Sequence, residues 1–337
     1  MTHPVLLVGS VPLADAESVF RQSAGALGAL LLRIPDGETG DRTHWVRSVK
    51  DIFYRHPSLE PAPVEGPQHR LPPVRIRAGE DRNAIEFGEL GYARAALESW
   101  HQFERLQRQG TIPAATRFQV SLPTPLAPIS GYVIRTDMAA LEGPWEKQLL
   151  RELGRIVAAI PHDKLAIQWD VAKEILMLEG VFAAHFSPIM EGVIERLARL
   201  GTSVPESVEL GYHLCYGDHR HRHEKEPEDA GLMTEVMNRL AASVRRRIDW
   251  VHLPVPRARS DDAFYCPLQT LKLDPRTEIY LGLIHLTDGA AGTQKRIEAA
   301  SRHLRTFGIA CECGMGRRPP DSIPAILDLH AECARLP

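Results

Sequence analysis

Residues 207–218 read Ser-Val-Glu-Leu-Gly-Tyr-His-Leu-Cys-Tyr-Gly-Asp. The apolar-leaning start, 207–210, reads as a strand, and residues able to do chemistry gather at its end. Alternate side chains of an extended strand share a face. His213 and Cys215 therefore present an imidazole nitrogen and a thiolate sulfur to one point. That is zinc-ligating geometry, provided two more ligands arrive from elsewhere. Alone, the pair is more simply read as a buried histidine beside an inert thiol. A second such place lies far downstream, where Cys311-Glu312-Cys313-Gly314 closes the apolar run 307–310.

Outward from this stretch, short apolar runs alternate with longer amphipathic segments. The runs are 5–8, 30–34, 117–121, 165–169, 207–214, 250–253, 279–284 and 309–312. Helical patterns lie at 14–27, 83–109, 141–160, 187–200, 228–248, 292–307 and 322–334, with 260–273 as a short, irregular helix in the sixth unit. Strand–helix alternation implies a parallel sheet, and eight units match a closed barrel. The expected fold is α/β, a single (β/α)8 TIM barrel filling residues 1–337. Residues 50–81, with prolines at 57, 61, 63, 67, 72 and 73, are too proline-rich for a helix interior. They are expected to form a loop insertion after the second strand, structureless unless it covers the barrel mouth as a lid.

Nearly every expected strand ends in a residue able to do chemistry: Gly9-Ser10, Asp36-Gly37-Glu38, Ser121, Asp170, His213 with Cys215, His252, His285 and Cys313. In such barrels the C-terminal strand ends line the active site, so this is the pattern of an enzyme. Composition narrows the class further. The 337 residues are 44% hydrophobic and 25% charged, with a formal net charge of -3. Nothing in that balance suggests a nucleic-acid or membrane surface, and no apolar run approaches the roughly 18 residues of a membrane span. Five cysteines, an odd number unevenly spread, argue against a disulfide framework. Together with an N-terminus lacking a signal-peptide pattern, they lead to the expectation of a reducing cytoplasm.

These motifs, in this order, resemble the cobalamin-independent methionine synthase superfamily, specifically its catalytic C-terminal barrel in the short core form. The resemblance covers nearly the whole chain and lies in motif order and spacing. Val8-Gly9-Ser10-Val11-Pro12 resembles the opening turn that holds the amino-acid thiol substrate. Asp36-Gly37-Glu38 and Gln168-Trp169-Asp170 resemble the elements whose carboxylates, here Glu38 and Asp170, meet that substrate's ammonium. His213-Leu-Cys215-Tyr216 resembles the zinc motif, Ile284-His285 the strand end with the proton-donor histidine, and Glu312-Cys313-Gly314-Met315 followed by Arg317-Arg318 the segment with the last zinc ligand. The resemblance implies a zinc-dependent methyl or alkyl transferase. Its small-molecule thiol, homocysteine-like, is activated as a zinc-bound thiolate. The methyl donor is open, a corrinoid protein being one candidate.

The departures matter as much. The family's remaining zinc ligand is a Glu at the next strand end, where this chain reads Trp250-Val251-His252-Leu253. His252 is expected to replace it in a His2Cys2 set. That raises the site's net charge by one, holding a bound thiolate more tightly and making it less reactive. The alternative places His252 behind the ligands or in the core and leaves Glu312, Asp218 or water as the missing ligand. Cys311 is expected to point away from the metal. The pterin side is poorly matched, Ser121-Leu-Pro-Thr-Pro125 being only loosely similar, which speaks against polyglutamylated methyltetrahydrofolate as donor.

Plainer roles stand beside these. Glu38 and Asp170 also suit helix caps or partners of buried arginine, and His285 a hydrogen-bonded core residue. His219-Arg-His-Arg-His223 could take an anion or a second metal, but suits better a solvated loop before the acidic run 224–229. Trp45, Trp100 and Trp145 are expected to be packing residues. The competing functions are a zinc-dependent C–S lyase or hydrolase, a metal-free decarboxylase resembling uroporphyrinogen decarboxylase with an Arg-rich mouth, and a non-catalytic binding role.

Overall fold

The structure, a computed structural model, describes residues 2–63, 72–217 and 223–336. Eight parallel strands surround a common axis: β1 (Val5–Leu6), β2 (Arg33–Pro35), β3 (Arg117–Pro123), β4 (Leu165–Val171), β5 (Glu209–Leu214), β6 (Trp250–Pro254), β7 (Glu278–Ile284) and β8 (Gly308–Cys311). Their order, β1-β8-β7-β6-β5-β4-β3-β2, is the sequential order of a barrel. A parallel bridge from Val5 to Leu31, just before β2, brings the two ends together. Helices cover the outside, so the strands are buried on both faces. All seven residues of β4 are buried. The expected (β/α)8 barrel is the fold of this chain.

After the sixth strand the outer layer is only the turn Asp262–Tyr265 and a 3-10 turn Cys266–Thr270, as irregular as the sequence suggested. The helix expected from residue 83 begins instead at Tyr92. Gly91 turns the chain with φ 95°. Glu152, fully buried on the Arg135–Ala159 helix, accepts the backbone N–H groups of Leu90, Gly91 and Ala93. A long-range carboxylate thus replaces the local cap that sequence rules look for. Of residues 50–81, the described parts, 50–63 and 72–81, are not structureless, and 64–71 lie outside the described residues. Helix Lys50–Tyr54 is followed by an antiparallel pairing of Leu59–Pro61 with Val74–Ile76. Phe53 stacks on Trp145 with ring centroids 4.6 Å apart, and Asp137 accepts from Ile76 N at 2.7 Å. The segment lies against the Arg135–Ala159 helix.

Inward-facing side chains form layers that lead up to the site. At the bottom, buried Arg33 bonds Glu209 at 2.6 Å and Glu278 at 2.8 Å. Its guanidinium lies 4.2 Å from the centre of the Trp250 ring. Above it, Gln119 and Gln168 both donate to Val8 O, at 3.0 and 2.6 Å. One strand position above Trp250 comes His252, and above Gly211 comes His213. Gly211 exists because Trp250 fills its place: a Cβ there would stand inside the indole, the close approach that a strand glycine often marks. Gly211→Ala is expected to destabilise the fold by about 1–3 kcal/mol through overpacking, read as a lower urea midpoint with an unchanged slope. An unchanged midpoint would mean that Trp250 moves aside freely.

Candidate active site

The carboxyl ends of the strands open into a cavity. Its wall includes Gly9 and Ser10 after β1, Glu38 after β2, Asp170 on β4, His213 and Cys215 on and after β5, and Cys313 after β8. Seven residues expected at the site from sequence thus reach one space. Around β1 the packing is tight. Ser10 accepts Met315 N on its carbonyl at 2.7 Å and Gly316 N on its hydroxyl at 3.2 Å. A Cβ on Gly314 would collide with the Ser10 hydroxyl. The Cys-Gly-Met-Gly turn is thereby locked to the Gly-Ser turn, which fixes where the Cys313 sulfur stands.

That sulfur is 3.6 Å from Cys215 Sγ and 3.6 Å from His213 Nε2, and the three ligand atoms all lie within 4.8 Å of one another. Tetrahedral zinc, with bonds of about 2.3 Å to sulfur and 2.0–2.1 Å to nitrogen, sets two sulfurs about 3.8 Å apart and sulfur and nitrogen about 3.6 Å apart. The residues fit the ion. Two thiols and an imidazole are also the donor set zinc prefers. Burial and the adjacent His252 hold the His213 ring well below the usual histidine range, so it is neutral, as a ligand must be.

His252 is not brought to this group. It is fully buried beside His213, the two Nδ1 atoms 2.7 Å apart, and its Nε2 meets the carbonyl of Cys311 at 3.0 Å. Both ring nitrogens are engaged away from the thiols, because the register that pairs His213 with His252 sets the rings side by side in one layer. Cys311 does point away, into the outer layer, and burial pushes its thiol up to about 12. Simple alternation would have put residues 311 and 313 on one face. The strand ends at Cys311 and the chain bends, which separates them.

His285 is buried and does not line the cavity. Its Nε2 donates to Val255 O at 2.9 Å, and its Nδ1 lies 3.6 Å from Glu312. The other oxygen of Glu312 is 2.7 Å from His223 Nε2, and His223 is pushed up to about 9 by Glu312 and Glu226, against the opposing effect of burial. Glu312 is therefore held by two imidazoles and stands outside the three-ligand group. His223 is thus an ion-paired member of the site rather than part of a solvated loop; residues 218–222, including Asp218, His219 and His221, lie outside the described residues.

Glu38 and Asp170 also line the cavity, Asp170 on the strand beside His213, and the two carboxylates interact electrostatically. Burial raises the Asp170 carboxyl to about 7, partly offset by hydrogen bonds from Gln168 (2.9 Å) and Trp45. Glu38 is pushed well above the carboxylate range by burial, then by Asp170 and Asp36. Asp36 itself is structural: it accepts from Arg42 at 2.7 Å, Ser99 at 2.8 Å and Glu38 N at 2.9 Å. Sequence reasoning missed Trp45, expected only to pack. Trp100 and Trp145 do pack, whereas Trp45 lines the cavity with backbone φ 53°. A bulky residue in that region marks strain held for a purpose. The available signal was its place in the loop after β2, on the catalytic face.

Fold and site together define a class: a (β/α)8 barrel with a group of two cysteines and a histidine and a carboxylate pair at its carboxyl mouth. A B12-independent methionine synthase from Shewanella sp. W3-18-1, solved with selenomethionine, is similar to the chain with TM-score 0.60 and 16% identity over 99% of this chain and 97% of that one. A Listeria monocytogenes protein provisionally named a vitamin-B12-independent methionine synthase gives 0.58 and 15% over 98% of each. A methyltransferase from Methanosarcina mazei gives 0.51 and 12% over 98% and 94%. No family model matches the sequence, and no curated protein does. The chain has the fold of the cobalamin-independent methionine synthase barrels.

Proposed function

We propose that the chain is a zinc-dependent transferase that moves a methyl or other alkyl group onto the sulfur of a small aminothiol. The observation that carries this is one cavity holding both the Cys215–Cys313–His213 group and the Glu38–Asp170 pair. Zinc held by those three side chains would lower the pKa of a substrate thiol and supply a thiolate nucleophile near neutral pH. The protein's part is placement. Glu38 and Asp170 take the ammonium, the Gly9-Ser10 turn takes the far end of the amino acid, and the sulfur is directed at the ligand group. The similar Shewanella enzyme, solved with selenomethionine, supports a substrate of this shape. The donor is an activated methyl compound or a corrinoid protein, since the pterin motif is poorly matched.

A decarboxylase acting on a polyanion would need an Arg-rich mouth. Among the described residues the cavity wall carries Arg317 and Lys173 together with the carboxylates of Glu38, Asp170 and Glu224, a mixed lining that does not favour it. The test is metal analysis followed by an alkylation assay on homocysteine with varied methyl donors. About one zinc per chain and S-methylation are the expected results; a metal-free protein, purified without chelator, sinks the reading.

His285 keeps the proposed role of proton source for the leaving group from its place behind Glu312, with Nδ1 3.6 Å from that carboxylate. His285→Ala is expected to retain zinc and lower kcat by roughly 100- to 10,000-fold. Loss of zinc in that variant, or unchanged kcat, removes it from the chemistry.

A further inference from the structure

We infer that His252 is a positioning residue that fixes the tautomer of His213, and so hands its Nε2 lone pair to the metal, without being a ligand itself. The inference rests on the zinc-centre reading and goes beyond it. Its basis is a chain of two hydrogen bonds running from the backbone to the ligand atom. A carbonyl oxygen only accepts, so His252 Nε2, 3.0 Å from Cys311 O, carries a hydrogen. A neutral imidazole has one N–H and one bare nitrogen, so His252 Nδ1 is an acceptor. His213 Nδ1 lies 2.7 Å from it and must be the donor. His213 Nε2 is then bare, and it is the atom 3.6 Å from Cys313 Sγ.

Each link follows from the previous one for neutral rings, and a metal-ligating imidazole is neutral by necessity. The Cys311 carbonyl thus decides which nitrogen of a residue on another strand is free. The arrangement has a physical logic. Metal-bound histidines commonly donate their other N–H to an acceptor that orients the ring and raises its basicity. Here that acceptor is a second imidazole, at the strand end where the resembled family carries a ligating glutamate. A neutral acceptor adds no charge to the group, so the described ligands are one neutral imidazole and two thiolates.

The experiment compares zinc affinity, by competition with a chromophoric chelator, in the wild type, His252→Phe and His252→Asn. Phe fills the space and accepts nothing; Asn Oδ1 can stand where Nδ1 stands and accept from His213. His252→Phe is expected to bind zinc about 10–100-fold more weakly at unchanged saturating stoichiometry, with His252→Asn recovering most of the loss. Equal affinity in the wild type and His252→Phe overturns the inference. So does a cobalt-loaded His252→Phe whose absorption shows one nitrogen ligand fewer than the wild type, because His252 would then be a ligand. Long-range 1H–15N spectra of histidine-labelled, metal-free wild type supply a readout that needs no variant. Hydrogens on His252 Nε2 and His213 Nδ1 uphold the chain, and a hydrogen on His213 Nε2 refutes it. Absence of zinc from the wild type would sink the metal centre, whereas misplaced hydrogens would sink only the relay.

Discussion

Serine at position 215 or 313 is expected to cost the protein its zinc and its activity together. Each sulfur stands at the separation tetrahedral zinc requires, and each is held there by backbone rather than by a flexible stem. Cys215 N donates to Val171 O at 2.9 Å, and the turn bearing Cys313 is pinned by Ser10. A serine hydroxyl occupies a similar volume but stays protonated at neutral pH, offering neither charge nor a polarisable donor. Zinc bound to four thiolate and imidazole ligands is worth about 10–16 kcal/mol, or roughly 3 kcal/mol per ligand, so one substitution is expected to weaken binding on the order of 100-fold. Turnover falls further, because without the ion the substrate thiol is mostly protonated at neutral pH. The control is Cys266→Ser, at an exposed cysteine outside the cavity, which is expected to retain both. Metal analysis after dialysis against a weak chelator reads the outcome. Retention of a full equivalent by both cavity variants would dismantle the site.

What could be read in the chain beforehand follows from what one residue can say about its own surroundings. Strand runs and strand-end chemistry are local and periodic, so eight strands and the convergence of Ser10, Glu38, Asp170, His213, Cys215 and Cys313 were legible. His252 was not, because its role depends on the register between two strands and on a carbonyl from a third. Nor was the helix start at Tyr92, whose cap is a glutamate some sixty positions away. Trp45 was misjudged for a related reason. The pattern around it looks amphipathic, whereas its backbone turns to φ 53° and carries the ring to the cavity. The pairing within 50–81 was hidden by its prolines: Pro61 ends one strand, and Pro73 supplies only its carbonyl, to Ala62 N at 2.7 Å.

Loss of the carboxylate pair is expected to be the other large effect, and its pH dependence gives it a signature. In the free protein burial holds Asp170 at about 7 and Glu38 well above its usual range, so near neutrality the pair keeps at least one proton. An ammonium placed between them favours both ionised forms and expels that proton. Affinity for an aminothiol is therefore expected to be low near pH 6 and to rise through pH 7, until the amine itself deprotonates. Stability runs the other way. The folded state keeps the Asp170 proton up to about 7, whereas the unfolded chain releases it near 3.8. Stability contributed by this group is thus full below about 4 and lost as pH climbs to about 7. A bound aminothiol offsets that loss, so it should raise Tm more at pH 8 than at pH 6. Asp170→Asn removes one partner of a buried charge pair, typically about 2–5 kcal/mol, or roughly a 30- to 5,000-fold rise in KM. It should also flatten the pH profile and abolish the preference for an aminothiol over the same thiol lacking its amine. A variant that keeps that preference would show that the ammonium binds elsewhere and that Asp170 is only buried.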